Sequence, residues 1–222
     1  MWRIATDFNN HNKFSSSGKI KCNGDIRSLV KPIALENYSY FARGLFMNCT
    51  SLTSAPELPA TTLADNCYSY MFNGCTSLTS APELPATTLA NYCYYNMFNN
   101  CKSLASAPEL PATTLADYCY MGMFNGCKSL KRIKMNASSG SWGTNMFNGC
   151  TSLELVDMTG STRVPTLSNV NNFSNTNDTY KIVVPDSLYN TWIAATNWAS
   201  IASHIMKQSD WNAAHPDDIL GQ

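Results

Sequence analysis

Charge is scarce in this chain of 222 residues, and neither sign dominates. Only 14% of the residues are charged, with 15 lysines and arginines against 15 aspartates and glutamates. A basic face is what draws a protein to nucleic acid or to an anionic membrane surface, and no stretch of this chain supplies one. We therefore expect no nucleic-acid partner.

Long apolar runs and catalytic motifs are missing as well. No run of eighteen apolar residues occurs, so we expect no membrane insertion of this chain. Three histidines, His11, His204 and His215, are spread over the sequence, and no nucleophile elbow, phosphate loop or metalloprotease helix accompanies them. We expect no catalytic residues, no enzyme activity and no cofactor.

What the chain does have is repetition. Residues 49–64 read CTSLTSAPELPATTLA, residues 75–90 repeat those letters, and residues 101–116 change two of them. Five cysteines mark the repeat, the first four at intervals of 26 residues and the last after 23: Cys49, Cys75, Cys101, Cys127 and Cys150. A fixed period of this length is typical of a solenoid, in which each repeat is one coil stacked on the previous coil.

The nine cysteines follow the same period. Besides the first ladder, a second ladder holds Cys67, Cys93 and Cys119, and Cys22 stands apart. Equivalent positions in stacked coils lie on the order of 5 Å apart. We expect buried free thiols, because free cysteine packs as a small hydrophobe. Disulfides between coils are the alternative. Zinc is disfavoured, because the sequence has no CxxC pair and no histidine near the ladders.

Two spacings alternate within each coil. SLKRIKM (129–135) and SLELVDM (152–158) end in alternating apolar residues, which predicts one short strand per coil and a parallel sheet. Apolar residues recur at intervals of three to four positions, at 64, 67, 71 and 75, which is the spacing of one face of a helix. This second pattern predicts a turn or two of helix behind the sheet, ended by Asn73-Gly74 and its equivalent Asn125-Gly126.

In the first three coils the PELP segment contains one residue more than the corresponding strand segment of the later coils. Simple alternation would point a glutamate of each coil into the core, where a carboxylate is very costly. We expect a bulge that turns Leu58, Leu84 and Leu110 inward and leaves the glutamates outside. The prolines predict a narrow sheet there and a more regular one in the fourth and fifth coils. The three glutamates Glu57, Glu83 and Glu109 form a ladder, one per coil. We expect these carboxylates to be surface charges screened by solvent and salt; the alternative is a Ca²⁺ ion that bridges them.

Both ends of the stack need a cover for the core that the terminal coils expose. At the front, residues 19–29 predict a hairpin that turns at Asn23-Gly24. At the back, residues 180–185 predict a last strand, followed by a helix starting at Asp186 or Ser187 and a second short helix through Ile205. The stretch 160–179 predicts a loop or an irregular coil. We expect the chain after Met206 to be loosely held.

The order Phe-x-x-Cys-x-x-Leu, then a strand, then an aromatic segment leading back to Phe-x-x-Cys, resembles the BspA-like (Treponema-type) leucine-rich repeats. Five segments carry it, at residues 46–52, 72–78, 98–104, 124–130 and 147–153. The resemblance implies an α/β fold: a right-handed leucine-rich-repeat solenoid with a parallel sheet on one face and short helical segments on the other. We place the N-terminal hairpin cap in 1–34, the solenoid with its C-terminal helical cap in 35–206, and a tail in 207–222.

The resemblance also implies a secreted or cell-surface bacterial protein, often linked to adhesion. Residues 1–18 lack the apolar core of a secretion signal, so we expect a signal or anchor upstream of this chain. We expect a non-catalytic binding or adhesion module for a host or matrix protein or a glycan. The alternative is a passive spacer within a longer surface protein. Near-identical coils favour the spacer, and the charges of the later coils favour binding.

Two surfaces are candidates for contact. The first is the outward strand face, with the residues Ser54, Pro56, Ser80, Pro82, Ser106, Pro108, Arg132, Lys134 and Asp157. The second is aromatic. Tyr68, Tyr94 and Tyr120 form a ladder beside the second row of cysteines, with Tyr92, Tyr95 and Tyr118 near it. Such rings either stack on sugars and partner side chains or hold the coils together by packing.

Overall fold

The computed structural model describes residues 19–22, 24–25 and 39–221. Successive coils lie side by side, and backbone amides of one coil donate to carbonyls of the next. The amides of Phe46, Phe72 and Phe98, spaced by one repeat, donate to the carbonyls of Met71, Met97 and Met123, each at 2.9 Å. The period of the sequence is therefore the stacking of coils, and the predicted solenoid is confirmed.

In the described part of the chain, six short strands, all paired in parallel, run along one side of the stack. They are β1 (Ile20–Lys21), β2 (Leu52–Ser54), β3 (Arg132–Lys134), β4 (Leu155–Asp157), β5 (Lys181–Val184) and β6 (Ile205–Lys207). β1 pairs with β2, and β3 to β6 form a four-stranded sheet in chain order. Branched side chains at equivalent positions form one buried row across that sheet: Ile133, Val156, Ile182 and Ile205.

Between β2 and β3 the sheet narrows to isolated bridges. Ser80 pairs with Ser106, and Ser106 pairs with Arg132. These coils carry prolines, which cannot donate to the ladder, where the later coils carry Ile and Val. Each PELP leucine is buried and each PELP glutamate is exposed, as the expected bulge required. The predicted narrowing and the inward turn of the leucines are both confirmed.

The expectation of helical segments behind the sheet is wrong. Residues 39–48, 65–74, 91–100 and 117–126, called the turn segments below, are runs of overlapping turns. In the second of them, even-numbered amides such as Tyr68 and Tyr70 donate to the next coil at 3.0 and 2.8 Å. Odd-numbered amides such as Ser69 and Met71 donate three residues back, at 3.1 and 3.2 Å. The backbone is therefore both locally turned and bonded across coils.

The spacing of the coils explains this difference. Ring centroids at equivalent positions lie 5.5 Å apart between Phe46 and Phe72. Packed helices need about 8–10 Å between their axes, so coils this close leave no room for a helix in each. Every fourth backbone position in the turn segments adopts positive φ instead, which ends any helical turn. Gly74 and Gly126, at φ of 74° and 72°, are the left-handed stops that the sequence predicted.

The core is built from columns of identical side chains. One leucine of each coil is fully buried, namely Leu52, Leu78, Leu104, Leu130 and Leu153. A second column is a stack of phenylalanines with nearly parallel rings, Phe46, Phe72, Phe98, Phe124, Phe147 and Phe173, at centroid distances of 5.5 to 6.0 Å. Tyr180 extends this stack at 5.0 Å and His204 extends it at 4.0 Å.

At the front of the stack, β1 pairs in parallel with β2. Asp25 then forms a parallel bridge to Glu57, so the chain continues in the same direction beyond Gly24. This segment lies along the stack as a further coil, where the sequence predicted the first arm of a hairpin. The predicted second arm was 25–29, so the parallel bridge of Asp25 contradicts the hairpin; Asn23 and residues 26–29 lie outside the described residues.

At the back, a 3₁₀ turn (Asp186–Leu188) leads into α1 (Tyr189–Ala194), as predicted. The predicted second helix is a 3₁₀ segment (Trp198–His204), and Ile205 belongs to β6 instead. Within 160–179 the chain forms an irregular coil with one 3₁₀ turn (Val170–Phe173). None of the helices in the described residues is long and apolar enough to cross a membrane.

The chain after Met206 is well packed, contrary to our expectation of a loose tail. It forms α2 (Gln208–Ala214), whose Trp211 is 5% exposed. Trp211 packs with Leu155 and Val183 on the outward side of the sheet. The signal was present in the sequence: Leu155 and Val183 are apolar residues on the face that should meet water, and such a face needs a cover.

Candidate binding surface

The strand face offers less accessible surface than expected. Pro56, Pro108 and Asp157 are buried, so the expectation that they face outward is wrong. Pro56 and Pro108 lie two residues before inward leucines, and side chains two apart on a strand share a face. Of the other six candidates, Ser80, Ser106 and Arg132 are exposed, and the rest are half-buried: Ser54, Pro82 and Lys134.

The charges of the later coils are engaged within the chain. Arg132 forms an ion pair with Asp218 at 2.7 Å, and its guanidinium lies 5.9 Å from the ring centre of Trp211. Lys134 pairs with Glu109 at 3.4 Å. Asp157 shares a face with Leu155, which the C-terminal segment covers, and its carboxylate accepts the amide and hydroxyl of Thr159 at 2.9 and 2.7 Å. The charged patch that the sequence favoured is thus partly occupied by the protein itself.

The glutamate ladder has no geometry that calls for a cation. Glu109 accepts from Asn136 Nδ2 at 3.0 Å in addition to pairing with Lys134. Among the described residues, no group of three or more His, Cys, Asp or Glu side chains is arranged to hold a metal ion. Calcium sites use six to eight oxygen ligands, so an exposed row with one glutamate per coil does not resemble one.

The cysteines of both ladders form no disulfides and are buried, as expected. In the first ladder the thiols of Cys75, Cys101, Cys127 and Cys150 each donate to the backbone carbonyl of a phenylalanine of the preceding coil, at 3.0 to 3.1 Å. Burial raises the pKa of Cys101 and Cys119 to about 12. Nucleophilic chemistry needs the thiolate, and burial disfavours the thiolate here, so packing between coils is the role that these contacts support.

The two described histidines are packed against aromatic rings. His204 stacks on Tyr180 with the ring planes 1° apart, and its Nδ1 lies 3.1 Å from the carbonyl oxygen of Tyr180. His215 stacks on Trp211 at 3.9 Å. These contacts give both rings a structural role in the last coils. His11 lies outside the described residues.

The tyrosines divide into an inner and an outer set. The inner ladder, Tyr68, Tyr94 and Tyr120, is buried and stacked at 6.1 Å per step, so packing is its role. Burial also raises the pKa of Tyr94 and Tyr120 well above the usual value. The outer set lies on the turn segments, whose solvent side is called the turn face below. Tyr40 and Tyr118 are 55% and 47% exposed there.

Ring contacts join the outer tyrosines of three coils into a strip, called the tyrosine strip below. Tyr118 stacks on Tyr92 at 4.9 Å, Tyr92 meets Tyr95 edge-on at 5.7 Å, and Tyr95 meets Tyr70 edge-on at 5.0 Å. A hydrogen bond with the Tyr70 hydroxyl is the largest cause of the raised pKa of Tyr95.

Arg43 continues the strip to Tyr40. Its guanidinium carbon lies 5.5 Å from the ring centre of Tyr40 and 5.6 Å from that of Tyr70. Cation–π contacts at this distance hold the planar guanidinium in place. The strip therefore begins at Tyr40 in the first turn segment and ends at Tyr118 in the fourth.

The backbone conformation of four residues of the strip is energetically unfavourable for tyrosine. Positive φ recurs nine, five and one residues before the first-ladder cysteine of each coil. Fourteen residues in all have positive φ at these positions. Ten of them are Asn or Gly, which tolerate this conformation, and the other four are Tyr40, Tyr70, Tyr92 and Tyr118. A left-handed residue with a bulky side chain costs roughly 1–2 kcal/mol. The fold is satisfied by Asn or Gly at these positions, so it does not itself require tyrosine.

Variation between coils is concentrated on the turn face. Segments 51–64, 77–90 and 103–116 differ at one position only, where Ala105 replaces a threonine. Six positions before the ladder cysteine, by contrast, the four coils carry Arg43, Ser69, Tyr95 and Met121. Tyr40, Arg43 and Tyr70 were not among the candidates predicted from the sequence. Two signals could have found them: this variation, and the recurrence of Tyr, Asn or Gly at every fourth residue.

A stack of coils with a parallel sheet, one buried leucine per coil and a Phe-x-x-Cys step defines a leucine-rich-repeat solenoid. The family model described as BspA type leucine rich repeat region matches six copies, over residues 25–154 and 91–194. The chain belongs to the BspA-type leucine-rich repeat family, whose members are typically surface-associated repeat proteins and generally non-catalytic. No curated protein and no solved structure matches the chain.

Proposed function

We propose that this chain is a non-catalytic binding module, secreted or displayed on a cell surface, that contacts its ligand through the turn face. The observation that carries the proposal is the tyrosine strip: four bulky residues occupy left-handed positions that the fold fills with Asn or Gly elsewhere. Strained residues of this kind cluster at functional sites.

The composition and rigidity of the strip suit recognition. Tyrosine and arginine are enriched among the residues that dominate binding energy at interfaces. The turn segments are fixed by hydrogen bonds from coil to coil, and the rings are fixed by one another. Little conformational entropy is lost when a ligand contacts groups that are already ordered. The strand face, by comparison, is nearly identical in the first three coils, and in the later coils it is partly covered by α2.

Several finer features belong to the same proposal. The solenoid is right-handed, the N-terminal segment and the C-terminal helices act as its caps, and a signal or anchor lies upstream. The partner is a host or matrix protein or a glycan. The protein is not an enzyme, because the thiols and histidines that a catalytic site would use are committed to packing in the described coils.

A binding screen with matched variants tests the proposal. The wild-type protein is applied to arrays of glycans and of extracellular-matrix proteins beside a turn-face variant carrying Tyr40→Asn, Tyr92→Asn and Tyr118→Asn. Asparagine occupies the same position in the second coil as Asn66, so the fold should accept all three substitutions. The control is a strand-face variant with Ser80→Glu and Ser106→Glu, at two exposed positions.

We expect the wild type and the strand-face variant to bind the same ligand and the turn-face variant to lose it. Loss of binding only in the strand-face variant would place the site on the strands instead. The absence of binding by the wild type to every ligand would favour the passive spacer. One observation speaks for that second function: the first three coils repeat fourteen consecutive residues with a single change, as a stalk does.

A further inference from the structure

We infer that the ligand of the tyrosine strip is an acidic saccharide, whose sugar rings lie on the tyrosines and whose carboxylate or sulfate binds Arg43. This inference rests on the proposed turn-face site and adds the chemical class of its ligand. It joins two separate features of the strip: an arginine that no acidic side chain among the described residues neutralises, and a row of rings one side chain wide.

Arg43 is the anion-binding group. Within the described part of the chain it has no carboxylate within ion-pair distance, and its Nε is buried without a hydrogen-bond partner. A guanidinium is a planar fork of five N–H donors that matches a carboxylate or sulfate. Two tyrosines already fix the plane of that fork.

Among the described residues, the other charges on the turn face leave the Arg43 end open to an anion. Asp65 lies beside this end of the strip, since the Tyr40 amide donates to its backbone carbonyl at 3.1 Å. Its carboxylate accepts the Asn91 amide at 2.9 Å, which directs it toward the third coil and away from the first. Asp117 lies at the opposite end, beside Tyr118. The acidic group of the ligand therefore belongs at the first and second coils.

The rings suit sugars better than a protein surface. The face of a tyrosine carries negative charge density, which attracts the polarised C–H groups of a pyranose ring. A protein partner needs a broad interface of about 1,200–2,000 Å² with an apolar centre. The strip is instead a single row, extended from coil to coil and bordered by amides such as Asn66 and Asn96. A row of this form matches a linear chain of sugars.

Isothermal titration of the full chain with matched oligosaccharides tests the inference. The probes are hexagalacturonate, its fully methyl-esterified form, and a κ-carrageenan hexasaccharide that carries sulfate without carboxylate. Three proteins are compared: the wild type, Arg43→Gln and Tyr118→Asn. The ester keeps the sugar rings and removes only the charge, so it separates the contribution of Arg43 from that of the tyrosines. Melting temperatures verify that the variants are folded.

We expect the wild type to bind hexagalacturonate or the sulfated probe at least tenfold more tightly than the ester. Arg43→Gln should remove that preference, and Tyr118→Asn should weaken all binding at least tenfold. The preferred probe tells carboxylate from sulfate. Equal binding of acid and ester, or an Arg43→Gln variant that keeps the preference, overturns the acidic ligand. If all three saccharides fail but a protein ligand depends on the strip, the inference is wrong and the turn-face site stands.

Discussion

At the scale of single residues, the cysteines show how one residue type serves one structural purpose in every coil. Eight of the nine are buried, and in the first ladder the thiols donate to carbonyls of the preceding coil. These hydrogen bonds run along the stack, as do the backbone bonds of the turn segments.

This arrangement predicts a sharp difference in thiol reactivity. In the folded protein we expect Cys22, which is half-buried, to react with a thiol reagent such as DTNB, while the eight ladder cysteines react only after denaturation. A time course under native conditions, followed by addition of guanidinium chloride, measures both classes. A Cys22→Ser variant should remove the fast phase. Disulfides found by mass spectrometry in unreduced protein would contradict the assignment of free thiols.

The same thiols predict a loss of stability in alkali. Burial raises the pKa of Cys67, Cys101, Cys119 and Cys150 from 9.0 to about 12. Above pH 9 the unfolded chain therefore releases thiol protons that the folded protein retains, so the free energy of unfolding falls as pH rises from about 9 to about 12. Urea titrations between pH 7 and pH 11 measure this fall. A stability that stays constant across that range would contradict it.

At the scale of elements, the stability of each coil depends on the buried leucine three residues after its first-ladder cysteine. Leu104 is fully buried in a central coil with neighbours on both sides. Replacing Leu104 with Ala should lower the free energy of unfolding by roughly 2–5 kcal/mol, because the cavity cannot collapse between stacked coils. Chemical denaturation measures the change. The matched control is Ala105→Thr, which restores the residue of the first two coils at an exposed position and should change little.

The strand side was largely predictable from the sequence, and the turn side was not. The alternating apolar residues of SLKRIKM predicted the strand. The energetic cost of burying a glutamate predicted the bulge that turns Leu58, Leu84 and Leu110 inward. The spacing of Ala64, Cys67 and Met71 fits a helix as well as it fits overlapping turns, because both bring every third or fourth residue inward. Only the distance between coils decides between them, and a pattern within one coil does not contain that distance.

The C-terminal segment is the other element that the sequence left open. Trp211 packs on Leu155 and Val183, and Asp218 pairs with Arg132. Trp211→Ala should destabilise the last coils by about 3–5 kcal/mol, because a buried aromatic ring is lost and the apolar sheet face is exposed. Asp218→Asn is the milder comparison, since a partly exposed ion pair contributes about 0–1 kcal/mol. Hydrogen exchange of the β4 and β5 amides locates the effect.

At the scale of the whole molecule, the two faces of the stack differ in kind. The strand face repeats through the first three coils. In the later coils its charges pair within the chain and the C-terminal segment covers part of it, so this face serves the fold. The turn face varies from coil to coil and carries exposed rings on costly backbone. A repeat protein is free to vary the residues that its stacking does not constrain, which is why we assign binding to the turn face.

Thermal unfolding of two tyrosine variants tests this division most directly. Tyr92 and Tyr94 are two residues apart, but Tyr92 belongs to the tyrosine strip at φ of 56°, and Tyr94 is buried in the inner ladder. We predict that Tyr92→Asn leaves the melting temperature unchanged or raises it, because relief of backbone strain offsets the lost ring contacts. Tyr94→Asn should lower the melting temperature by several degrees. A comparable fall in both variants would show that the outer tyrosines are retained for folding, and would contradict their assignment to binding.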